Sequence, residues 1–179
     1  KKAIYHEFKK QIQNVIESNL VITHIDTHQH VHYSPFIFTI IKILSKEFKI
    51  NKIRKIDEKF NVNCFFKNFK FKFHNNNYLK YLLLKIFKRK DFNKKNTSDY
   101  FFGILNSGKI QLNELLLYID KINENKTIEL CIHPSNHTNK SLDSKFSDFY
   151  ESKDRQHEKK LLFSKKFINE LTKRHVKIL

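Results

Sequence analysis

Glycine and proline are nearly missing from this chain, at two residues each in 179. Sandwiches built from many tight turns draw heavily on both residues, so that class is argued against. Cysteine is as rare: Cys64 and Cys131 are the only two, and neither lies in a Cys-x-x-Cys pair. A disulfide framework and a thiolate zinc site are thereby excluded, and a reducing, cytoplasmic compartment is expected. No apolar run approaches the roughly 18 residues that a membrane span needs, and no signal peptide is visible, so no membrane association is expected. The first residue is Lys rather than Met, and the sequence is expected to begin inside a longer reading frame.

Arginine is scarce as well. The net charge of +17 invites a nucleic-acid partner, yet only four of the 35 basic residues are Arg: Arg54, Arg89, Arg155 and Arg174. Base reading and bidentate phosphate contacts favour Arg. The lysines are spread among Asn, Ile and Phe, as a solvated basic surface would be, and nucleic acid is not expected as the partner.

What is present is enough to build a core. Phe occurs 18 times and the hydrophobic fraction is 40%, which suits a single folded domain over 1–179. Ile4, Phe8, Ile12, Val15 and Ile16 recur at three- and four-residue steps, so the opening segment reads as a helix. "LVITHID" reads as a short buried strand, and "PFIFTIIKILSKEF" as a helix with Pro35 in its first turn. "KINKIRKI" is a second strand candidate, and the order suggests a βαβ unit with parallel pairing.

Residues 64–96 alternate aromatic and basic residues and then turn helical over 78–88, as an insertion or covering segment would. The Phe/Lys alternation fits a half-buried strand, with base stacking as the competing reading. Order returns with turn signals at Gly103 and Gly108. An amphipathic helix follows, with Leu112, Leu115, Leu116 and Ile119 on one face. "KTIELCIHPSNH" reads as a third strand, 155–171 as a helix, and "VKIL" as a last strand. The fold class expected is α/β with mainly parallel strands, as a sheet or barrel.

Chemistry concentrates where strands end, which is where parallel α/β folds bind ligands. "THIDTHQHVH" places four histidines and one aspartate in ten residues, and His133 follows the third strand. On an extended segment His24, Asp26, His28, His30 and His32 would share one face; a loop would break that register and leave fewer of them at a common ion. Imidazole suits zinc and other first-row ions, while a neighbouring carboxylate widens the range to magnesium and manganese.

The run "THIDTHQHVHYSPFIFTIIKIL" resembles the signature of the YdjC-like carbohydrate deacetylases: Thr-His-hydrophobic-Asp-Ser/Gly-His-x-His-x-His, then a Pro-led helix. Other pieces arrive in the family's order. These are "EFKKQI" with Glu7 and Gln11, "KIR" ending at Arg54, "SDYFFGILNSG" with Asp99 and Gly103, "IELCIHP", and the closing "YESKDRQHEKKLLFS". The resemblance implies an N-deacetylase of acetylated amino sugars on a (β/α) barrel-like fold. It also implies a divalent metal, magnesium first, with zinc or manganese open. His28 matches the metal-ligand histidine of the motif, and His133 a histidine of the same site acting as acid or substrate contact. Asp26 matches a catalytic motif position, while His30, His32 and Arg54 match positions that support the metal or meet substrate.

The family's first strand, ending in a paired-aspartate motif, and a later Gly-x-His segment have no counterpart here. The chain is therefore expected to be a partial domain lacking the first strands, to bind metal weakly and to be inactive alone. A non-catalytic remnant of the fold and a basic nucleic-acid-binding module are the alternatives. A homodimer is left open.

Overall fold

The computed structural model describes residues 1–59, 76–87, 97–122, 125–136 and 153–178. The alternating Phe/Lys stretch and Cys64 lie outside the described residues. The chain divides into two compact units, one of residues 1–57 and 82–99, the other of residues 58–81 and 100–179.

In the first unit α1 (Lys2–Glu17) and α2 (Pro35–Glu47) lie where the apolar spacing predicts them. Pro35 opens α2, where its missing N–H costs nothing. Phe38, Ile41 and Leu44 recur along α2 at three-residue steps and are all buried. Phe8 and Ile12 of α1 pack on a small cluster of Ile25, Ile41 and Ile50. The rest of the predicted α1 stripe, Ile4, Val15 and Ile16, is exposed.

The two strands expected on either side of α2 shrink to one parallel bridge, Ile25 with Ile53. Ile25 N–H donates to the Lys52 carbonyl at 2.8 Å and Arg54 N–H to the Ile25 carbonyl at 3.0 Å. Leu20 and Val21, read as buried strand, are instead 63% and 90% exposed. An apolar run becomes a strand only where a neighbour accepts its backbone, and here the contact is confined to Ile25.

In the second unit β1 (Tyr100–Phe102) pairs in parallel with β2 (Ile128–Leu130), Phe101 opposite Glu129. β2 falls within the predicted third strand; β1 falls within a segment read only for its turns. Helix α3 (Asn77–Ile86), of which residues 77–81 belong to this unit, precedes β1 in the chain, and α4 (Leu112–Ile119) links the two strands. Phe102, Ile110, Leu115, Leu161, Phe167 and Leu171 form the buried core of this unit. The architecture is thus mixed α/β, with helices around short parallel pairings. Among the described residues no helix is long and apolar enough to cross a membrane.

Two expectations fail at the C-terminal end. The helix expected over 155–171 is two helices, α5 (Lys153–Leu162) and α6 (Lys165–Lys173). Ser164 divides them as the N-cap of α6, its hydroxyl accepting the Phe167 N–H at 3.1 Å. Nor is "VKIL" a strand over its described residues: Val176 N–H donates to the Leu171 carbonyl at 3.0 Å and closes α6. His175, just before it, takes the left-handed conformation (φ 54) that this closure requires. Asn19 (φ 57) and Lys49 (φ 54) close α1 and α2 in the same way. In a chain with two glycines, side-chain-bearing residues occupy the positions that glycine usually fills.

Candidate functional site

The first candidate group is built on the Ile25–Ile53 bridge. Parallel pairing aligns the residues that follow, Asp26 and Arg54, at the same ends of the two segments. Their side chains meet in an ion pair between Arg54 Nη1 and Asp26 Oδ2. Both residues were singled out from sequence, and the fold brings them together.

Beyond Asp26 the extended register breaks. Residues His28–Tyr33 form a 3-10 turn, and within it Gln29 (φ 51) and His30 (φ 61) are both left-handed. Such conformations cost non-glycine residues about 1–2 kcal/mol each, so two in succession mark a segment held by its surroundings. The loop alternative is the one that forms, and the five polar side chains do not share one face.

What forms instead is a division of labour among the histidines. His32 is fully buried. Its Nε2 lies 2.9 Å from the Arg54 carbonyl, which can only accept, so Nε2 carries the proton. Nδ1 sits 2.6 Å from the Thr27 hydroxyl and accepts from it, while the same hydroxyl accepts the His32 N–H at 3.0 Å. Asp26 Oδ1 stands 4.0 Å from Nδ1. His32 therefore locks the turn to the end of the second segment, with neither ring nitrogen turned toward a ligand. Tyr33 reinforces the lock, its hydroxyl donating to the Ile56 carbonyl at 2.8 Å.

His30 is half-buried, edge-on to His32 with ring centroids 6.4 Å apart. His24 is exposed and its Nδ1 meets the Thr23 hydroxyl at 2.9 Å. His28 is exposed, and its ring has no hydrogen bond or ion pair among the described residues. Both nitrogens of its ring are open to an ion, whereas His24 has one of its two engaged. One open imidazole is not a metal site, and among the described residues no group of three or more His, Cys, Asp or Glu side chains is placed to hold an ion.

The second group lies at the end of β2. Cys131 N–H makes the last pairing bond, to the Phe102 carbonyl at 2.9 Å. Two residues on, alternation returns the same face, and His133 Nε2 stands 3.9 Å from Cys131 Sγ. The His133 N–H donates at 2.6 Å to Oε2 of Glu158, a fully buried carboxylate on α5. Burial pushes the Glu158 carboxyl above the ordinary glutamate value. Hydrogen bonds from the backbone of His133, Ile110 and Gly108, and the charge of Arg155, pull it back.

Sequence reading missed Glu158 as a site residue. The available signal was its spacing: Arg155, Glu158 and Leu161 recur every three residues on the buried face of a helix whose other positions are charged and solvated. A second buried carboxylate, Glu58, accepts the Ile104 N–H at 2.7 Å and holds the backbone just after Gly103.

No solved structure matches this chain. One stretch of 48 residues is 38% identical to a carbohydrate deacetylase of Vibrio parahaemolyticus. That stretch covers 27% of this chain and 19% of the relative, so the chain spans about a fifth of the relative's length. The family model described as YdjC-like protein matches residues 1–173, which contain both groups of side chains. This chain belongs to the YdjC-like family.

Proposed function

We propose that this chain is part of a hydrolase that removes N-acetyl groups from amino sugars or oligosaccharides, on a barrel-like α/β fold. The observation that carries the reading is the contrast inside the histidine motif. His32, Asp26 and Arg54 are committed to one another, and His28 is left exposed beside them. A framework that rigidifies one turn and exposes one imidazole suits a reacting group rather than a packing role.

An amide carbonyl is a poor electrophile. A divalent ion, magnesium by family resemblance with zinc or manganese as alternatives, would polarise it and activate water. His28 is the described motif residue suited to hold such an ion, and it supplies one of the roughly four to six ligands that these ions take. Arg54 keeps the Asp26 carboxylate in place, where it can accept a proton or a substrate hydroxyl. His133, 36% exposed, can deliver a proton to a departing amine nitrogen.

Acetate release from an N-acetylated chitooligosaccharide by the full-length protein that contains this chain, measured with magnesium present, tests the reading. Replacing His28 or His133 with Ala is expected to lower the rate on the order of a hundredfold while the circular dichroism spectrum stays that of the parent. Undiminished release by both variants would overturn it.

A further inference from the structure

We propose that Glu158 is the positioning residue of His133, setting both the place of its backbone and the direction of its ring. The assignment rests on the reading above insofar as His133 serves in proton transfer.

The argument begins with an unpaired strand end. Once Cys131 has bonded to Phe102, the next inward N–H of this strand is that of His133. It finds a side chain rather than a strand: Glu158 Oε2, at 2.6 Å. The other carboxylate oxygen, Oε1, accepts the Ile110 N–H at 3.4 Å, and the Gly108 N–H bonds to the same group. One fully buried side chain therefore ties the strand end to the 108–110 turn. The ring follows the backbone. His133 Nδ1 lies 4.0 Å from the oxygen that holds its own N–H, and Nε2 points toward Cys131 Sγ.

A carboxylate is costly to bury, and a neutral amide or a hydroxyl could hold one backbone N–H at less cost. What a neutral group cannot supply is negative charge beside Nδ1, which favours a proton on the ring. The titratable and charged groups acting on this carboxyl are Arg155 on the same helix and His133 from the strand.

Nuclear magnetic resonance of the whole 179-residue chain tests the assignment. In the parent protein the amide protons of His133, Ile110 and Gly108 should shift together through one common midpoint, that of the shared carboxyl. In Glu158→Gln the midpoint of the His133 ring titration should move to lower pH. In the full-length protein that contains this chain, turnover of an N-acetylated chitooligosaccharide should fall on the order of tenfold in kcat, with KM unchanged.

If Glu158→Gln does not fold, the parent amide titration decides. Independent midpoints for the three amides would sink the proposal, as would a His133 ring that titrates identically in the folded variant. Coupled titrations in the parent chain, together with no acetate release by the full-length protein that contains it, would keep Glu158 in its role and overturn the deacetylase reading instead.

Discussion

The α-carbon of Gly103 stands so close to the Cys131 carbonyl that a β-carbon would overlap its oxygen. Gly103 also adopts φ 128, a conformation that side-chain-bearing residues rarely take. The two facts share one cause: β1 ends here, and the chain must turn away while still touching the strand that leads to His133.

Gly103→Ala is therefore expected to destabilise the protein by about 3 kcal/mol or more, because the clash is with backbone and cannot be relieved by a rotamer change. Gly108→Ala makes a useful control. Its φ of 89 is also strained, but the space around it is open, so a smaller loss is expected. Urea unfolding of both variants checks the order, and equal losses would contradict it.

The two outer histidines of the turn should separate cleanly. His32→Ala removes a fully buried ring and strands the Arg54 carbonyl and the Thr27 hydroxyl, a loss of about 2–4 kcal/mol. His28→Ala touches an exposed ring and should change stability by no more than about 0.5 kcal/mol. Unfolding midpoints of the two variants measure this directly.

Lys49 closes α2 with left-handed backbone: its N–H reaches the Lys46 carbonyl at 3.3 Å, and the following Ile50 N–H reaches Ser45 at 2.9 Å. Lys49→Gly relieves the strain of the β-carbon but frees the unfolded chain. The net expected is a gain of roughly 0.5–1 kcal/mol, read as a higher melting temperature.

Glu158 should leave a mark on the pH dependence of stability. Its folded carboxyl binds a proton more tightly than the unfolded one, because burial raises it above the ordinary range. Its contribution is then whole below the unfolded glutamate value and is lost as pH rises through the folded value. The stability of the parent relative to Glu158→Gln is expected to be greatest at the acid end and to decline with rising pH. Unfolding free energies of the pair, measured across the weakly acidic range, give the slope; a rise with pH would refute the sign.

Much of this was legible before any coordinates. Helices α1, α2 and α4 follow from spacing of apolar residues, because a helix is local and its period is written in neighbours three and four apart. The gathering of coordinating side chains at residues 23–32 and the histidine at the end of a strand, His133, were visible in the sequence. The strands were harder. β1 hid in a segment read for its glycines, and the residues at 20–26 read as strand pair at Ile25 alone, since a strand exists only where a distant partner accepts its backbone.

Sequence by itself determined the family, helices α1, α2 and α4, and the gathering of coordinating side chains at residues 23–32. Tertiary structure alone decided their surroundings. Two left-handed residues, Gln29 and His30, turn the motif so that His32 is buried and His28 is not, and alternation along a strand cannot foresee a turn. A glutamate on an otherwise charged helix became the anchor of His133 only because the fold carried a strand end to it, 25 residues earlier in the chain.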